Sequence, residues 1–97
     1  MARYVAVSEV PGLTNEQFCR AFDAIRKWRF DRRAWIVKAY CDLSGGRLFV
    51  ECEAPDQEIF AQWLRKNEWQ AENIREIDLI YEAGSVWPMG APAGAQG

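Results

Sequence analysis

Hydrophobic and polar positions along the chain change period several times, and those changes mark out the elements. Residues 4–10 are rich in valine and alternate weakly, the pattern of a half-buried strand. Pro11-Gly12 ends it. Thr14-Asn15-Glu16-Gln17 has the T-x-x-Q form of a capping box, in which two side chains satisfy orphan N–H groups at a helix start. Phe18, Ala21, Phe22, Ile25 and then Trp28 follow at helical spacing, predicting a first helix over 15–28.

Alternation returns over 34–42 and 47–53. Between them Leu43-Ser44-Gly45-Gly46 offers the positive-φ residues of a hairpin turn. Pro55 suits the first position of a second helix, with Asp56 and Glu58 favouring its dipole. Ile59, Phe60, Trp63 and Leu64 form its buried stripe. A turn at 71–73 leads into a strand over 74–81. The order β-α-β-β-α-β is that of an α+β, ferredoxin-like sandwich with a four-stranded antiparallel sheet. Residues 1–82 make one domain; from 83 to 97 Gly, Pro, Ala and Ser without periodicity predict a flexible tail.

Pairing Asp42 with Arg47 across the turn fixes the hairpin register. One face then carries Trp35, Val37, Ala39 and Cys41 opposite Cys52, Val50 and Leu48, and this apolar side takes the helices. The other carries Ile36, Lys38, Tyr40 and Asp42 opposite Glu53, Glu51, Phe49 and Arg47. Tyr40 lies across from Phe49 and Lys38 across from Glu51, pairs that each stabilise a sheet by roughly 0.2–1 kcal/mol. An open antiparallel sheet ordinarily leaves such a side polar. Here it keeps large apolar groups, so the expected cover is a second copy packed sheet to sheet, a homodimer of the α/β-barrel type.

Composition adds an aromatic surplus to this picture: five Trp, five Phe and three Tyr in 97 residues, more than one small core easily hides. With a net charge of −2, nothing draws the whole chain to nucleic acid or to a membrane surface. No apolar run approaches the roughly 18 residues of a bilayer span, and the first residues lack a signal-peptide stretch, so the expected location is cytoplasmic. Three widely spaced cysteines do not form a disulfide framework. Cys41 and Cys52 fall on one face but about four residues apart along the ladder, roughly 10 Å or more, beyond disulfide reach.

Gly12-Leu13-Thr14 with Glu16-Gln17, then Glu53-Ala54-Pro55-Asp56 before a helix, then Ile74-Arg75-Glu76-Ile77 are the residues that carry a family resemblance. Over roughly residues 4–81 the chain resembles a bacterial family of small ferredoxin-like proteins whose best-described type is a dimeric nickel-binding protein. The resemblance implies the fold and the dimer. It also implies histidine ligands in the first strand and around the second helix, where this chain has Val7, Ser8, Leu64 and Trp69. With no histidine anywhere, the nickel is not carried over, and no metal or other cofactor is expected.

Three groups of residues are candidates for chemistry. Lys38, Tyr40, Phe49 and Glu51, with Glu76 and Asp78 from the last strand, would line an inter-sheet cavity for a small amphipathic ligand. There, carboxylates including Glu53 could act as acid and base or bind a hard cation, the plainer account being neutralisation by Lys38 and Arg75. The thiols lack a histidine partner and read as small buried hydrophobes. The run from Arg26 to Trp35 interleaves bases with aromatics as single-stranded nucleic acid binders do. The RNP1 pattern is absent, however, and Glu51 stands where RNA would lie, so a helix end with cations on its dipole is preferred. The leading expectation is a ligand-binding or regulatory dimer. The alternatives are a cofactor-independent isomerase- or monooxygenase-like enzyme using Glu51 or Asp78 as base and Tyr40 as donor, and a scaffold docking a partner through residues 28–35 or the tail.

Overall fold

The computed structural model describes residues 1–25 and 27–89. It is a small α+β fold with two helices and a five-stranded antiparallel sheet. Strands β1 (Ala2–Glu9), β2 (Arg29–Asp31), β3 (Ala34–Asp42), β4 (Arg47–Ala54) and β5 (Ile74–Glu76) lie in the order β2-β3-β4-β1-β5. Helices α1 (Asn15–Asp23) and α2 (Gln57–Lys66) cover one face, and β6 (Leu79–Glu82) with β7 (Ser85–Pro88) forms a separate hairpin. Among the described residues no helix is long and apolar enough to cross a membrane.

The capping box forms as the sequence predicts: Gln17 N donates to Thr14 Oγ1 at 3.1 Å, and Thr14 N donates to Gln17 Oε1 at 2.9 Å. The helix it starts is shorter than its apolar period, ending at Asp23. Lys27 and Trp28 then take left-handed backbone, with φ of 49° and 66°, conformations that cost an L-residue about 1 kcal/mol each. The reversal feeds β2, which pairs with β3 and turns the expected four-stranded sheet into five strands. Trp28 is therefore an exposed turn residue rather than a helix residue. At α2, Asp56 caps instead of sitting inside the helix, accepting from Ile59 N at 3.0 Å.

The hairpin register is the one the Leu43–Gly46 turn predicts: Asp42 pairs with Arg47, Tyr40 with Phe49, and Lys38 with Glu51. Beyond Lys38 the expectation fails. A bulge between Ile36 and Lys38 sets Ile36 opposite Cys52 and Trp35 opposite Glu53. One extra residue exchanges the two sides of everything before it. Ile36 thus joins the core with Ala39 and Cys41, Val37 is exposed, and Trp35 shares the open face with Glu53.

The core lies between the helices and Tyr4, Ala6, Leu48, Val50, Cys52 and Ile74 of the sheet. Aromatic rings make its outer layer. Trp63 stands 5.2 Å from Phe30, 5.8 Å from Phe22 and 5.5 Å from Trp69, which is buried beneath α1. Much of the aromatic surplus is thus absorbed within the chain's own core. The single strand expected over 74–81 is interrupted after Glu76, and the chain then leaves the sheet. Residues 83–89, expected as tail, are ordered: Ala83 and Gly84, with φ of 55° and 84°, make the two-residue turn from β6 to β7. The tail expected over 90–97, Arg26 of the basic run and the side chain of Trp87 lie outside the described residues.

Candidate functional site

The sheet face away from the helices is built in cross-strand rows. Val7, Phe49 and Tyr40 form one row, and Arg75, Val5, Glu51 and Lys38 the next. Arg3, Glu53 and Trp35 form the third. Four of the residues picked out in the sequence, Lys38, Tyr40, Phe49 and Glu51, therefore stand together. Glu76 does not join them. It pairs with Tyr4, whose side chain belongs to the helix side, so the residue β5 sends to the open face is Arg75. Asp78 follows the break in the strand and is exposed; its backbone oxygen accepts from Met89 N at 2.8 Å.

After that break the chain folds over the edge of this face. Val5, Lys38, Tyr40 and Glu51 of the sheet, with Ile80 and Tyr81 of the hairpin, enclose a shallow cavity of about 310 Å³. Tyr40 remains 59% exposed, and Leu79, Tyr81 and Val86 are exposed nearby on the hairpin. The Lys38 ammonium lies 5.6 Å from the centre of the Tyr40 ring. Hydrogen bonding and charge from Tyr40, with Glu82 and Glu51 adding, hold it above the ordinary lysine value. A cation held over an aromatic face beside carboxylates offers complementary contacts to an amphipathic molecule or to a second protein surface.

Arg3 is the residue that reading the sequence missed. Its guanidinium bridges the carboxylates of Glu51 and Glu53, donating from Nη1 to Glu51 and from Nη2 to Glu53 at 3.0 Å. Burial pulls its pKa down, but the two carboxylate hydrogen bonds outweigh that and leave it above the usual arginine value. Its Nε is buried without a partner. The sequence expects Lys38 and Arg75 as neutralising groups; Arg3 bridges Glu51 and Glu53 in addition, because β1 pairs Arg3 directly with Glu53, while Lys38 still feels the charge of Glu51. The signal was one basic residue at the start of the first strand, in phase with Val5 and Val7.

The three cysteines are free and occupy three environments. Cys19 is exposed, Cys41 is half-buried, and Cys52 is buried, where loss of solvent pushes its thiol far up. Cys41 lies opposite Leu48, and the bulge sets Cys52 opposite Ile36 rather than Val37, so the two thiols stay four residues apart along β4. Among the described residues no group of three or more Cys, Asp or Glu side chains is gathered as metal ligands would be.

The basic run is divided by the fold. Arg29 stacks 5.5 Å over the Trp35 ring, and Asp31 accepts from Arg33 N at 3.0 Å, so part of the run serves the turn into β3.

No family model matches the chain, and no curated protein matches it. Among solved structures it is similar to the crystal structure of SCO4226 from Streptomyces coelicolor A3(2), with a TM-score of 0.67. The likeness covers 82% of this chain and 100% of that one at 23% sequence identity. Identity that low speaks for the fold alone.

Proposed function

We propose that this chain is a ferredoxin-like protein that pairs with a second copy through its open sheet face, and that the pair holds a small amphipathic ligand between the sheets. The observation that carries the reading is Tyr40, which stays more than half exposed while packed across from Phe49 and beside Lys38 and Glu51. The strand order β3-β4-β1-β5 with both helices on one side supports the ferredoxin-like part. Resemblance to the small bacterial ferredoxin-like family supports the pairing, without the nickel its histidines would bind.

The face also suits its own copy. Exposed apolar side chains on sheet and hairpin flank both a cation, Lys38, and carboxylates, Glu51 and Glu82. A two-fold apposition with Lys38 off the axis would set it against Glu51 or Glu82 of the other copy. Glu51 is occupied by Arg3, a use that favours a binding cavity over one in which this carboxylate moves protons.

Sedimentation equilibrium and native mass spectrometry of the purified full chain test the proposal. At micromolar concentration the expected mass is twice 11.2 kDa, with a small molecule carried by the dimer. Tyr40→Glu, which sets a carboxylate beside Glu51 and Glu82, is expected to give a folded monomer without the passenger. A wild-type monomer, or a Tyr40→Glu dimer that keeps its ligand, would remove this face from the account.

A further inference from the structure

A second concavity lies on the helix side, away from the face assigned to pairing. The end of α1, the β2 segment and α2 leave an open cleft of about 930 Å³ between them. Its apolar lining comes from Ala21, Ala24 and Ile25 at the end of α1 and the turn after it, and from Phe30 and Trp63. Phe30 lies 5.8 Å from Phe60 as well as 5.2 Å from Trp63, so these rings are anchored in the core rather than left loose.

Its rim is basic. Lys27, Arg29, Arg32 and Lys66 line it, against Asp31 as the single carboxylate, in a chain whose net charge is −2. Asp31 is committed to Arg33, which donates from N at 3.0 Å and from Nε at 3.4 Å. That backbone hydrogen bond, with the Arg33 side chain and the charge of Arg32 adding to it, holds the carboxyl below its usual value. Arg29 is committed to the Trp35 ring and to the Arg32 carbonyl. Among the described residues none of Lys27, Arg32 and Lys66 enters a salt bridge. Lys27 and Lys66 thus line the cleft without a counter-charge of their own, and Arg32 shares Asp31 with Arg33.

We propose that this cleft binds a small amphipathic anion: an apolar or aromatic body seated on Phe30 and Trp63, with a carboxylate or phosphate held among Lys27, Arg32 and Lys66. Cationic side chains at the mouth of an apolar cleft match that chemistry in charge and in shape. A nucleic acid fits less well. Its successive phosphates need a basic track, whereas these cations surround one opening on an otherwise acidic protein. The site shares no lining residue with the open-face cavity, so it stands or falls separately from the pairing proposed above.

The test is a titration of the 15N-labelled full chain with octanoate, octyl phosphate and octanol, followed by amide shifts. Both anions are expected to move Ala21, Ala24, Ile25 and Lys66, and added salt should weaken them. Octanol should bind the same residues roughly tenfold more weakly. The comparison of octanoate with octyl phosphate tells which anionic group is preferred. Lys27→Gln with Lys66→Gln changes exposed side chains only, and should weaken the anions about tenfold while leaving octanol alone. Four results overturn the proposal: no shifts at millimolar probe, shifts confined to Lys38 and Glu51, equal binding of octanol, or binding of a single-stranded oligonucleotide where the alkyl anions fail.

Discussion

Arg3→Met isolates the bridge on the open face, because methionine keeps much of the apolar stem and removes only the fork. The wild-type fork donates to Glu51 and Glu53, with side-chain exposures of 15% for Arg3, 24% for Glu51 and 26% for Glu53. Charge-assisted bonds of this kind contribute about 1.5–3 kcal/mol when buried; with a quarter of each carboxylate in water, about 1 kcal/mol apiece is the better figure. Losing the fork also leaves two carboxylates on one side of β4, roughly 7 Å apart, repelling by about 0.6 kcal/mol even at the dielectric of water. The variant gains something back, since the buried, unpartnered Nε disappears with the fork. A net loss of about 2 kcal/mol follows, which for a domain of this size lowers the melting temperature by about 10 °C. Melts should be run at one protein concentration, because pairing would make the midpoint concentration-dependent.

The sign of the pH dependence follows from the groups involved. Arg3 is raised above the ordinary arginine value, so its own contribution is fully present below that value and is lost only as pH climbs through the raised one. A double-mutant cycle of Arg3→Met with Glu51→Gln or Glu53→Gln should return about 1 kcal/mol of coupling for each carboxylate. If the effects simply add, or if Arg3→Met costs under about 0.5 kcal/mol at neutral pH, the bridge is surface decoration and the reasoning fails.

Thiol reactivity should separate the cysteines at about pH 8: Ellman's reagent is expected to modify exposed Cys19 quickly, and Cys52, whose thiol burial pushes up, only on unfolding. Three fast thiols in the native protein would contradict this burial. Gly46→Ala places a Cβ 3.1 Å from the Pro11 Cα at φ +67°, backbone against backbone, whereas at Gly12 (φ +82°) a Cβ meets nothing within 4 Å. Chemical denaturation should therefore show Gly46→Ala costing about 1 kcal/mol more than Gly12→Ala, and equal losses would show that only the backbone angle matters.

What could be read from the chain, and what could not, divides on local against distant causes. The capping box at Thr14, the turn at Gly45-Gly46 and the alternation from Lys38 to Asp42 act within a few residues, and the fold follows each of them. Tyr40 opposite Phe49 is legible for that reason. The bulge that puts Trp35 and Ile36 on opposite sides from those expected carries no glycine or proline to announce it. Its one extra residue preserves an apolar pattern on both faces. Helix α1 stops at Asp23 although Ile25 and Trp28 continue its period, because residues 29–31 pair with β3 instead. Arg3 and the two glutamates it bridges are about 50 positions apart in sequence, and only the β1–β4 register brings them together. The basic cleft was visible only as a run of charges, since its other wall, Trp63 and Lys66, comes from a distant helix.

Helix α1 has a property that bears on all of this: none of its residues is fully buried, whereas α2 buries Phe60, Ala61, Trp63 and Leu64. Its capping box holds the first turn, but the helix rests on the core through the half-buried sides of Phe18, Ala21 and Phe22. Elements with so little completely dry surface open at lower free energy than the whole molecule unfolds. Hydrogen exchange is therefore expected to be faster in α1 than in the β1–β4 pair. The basic cleft thus has one wall on a helix without a fully buried residue and the other on a helix anchored by Phe60, Trp63 and Leu64.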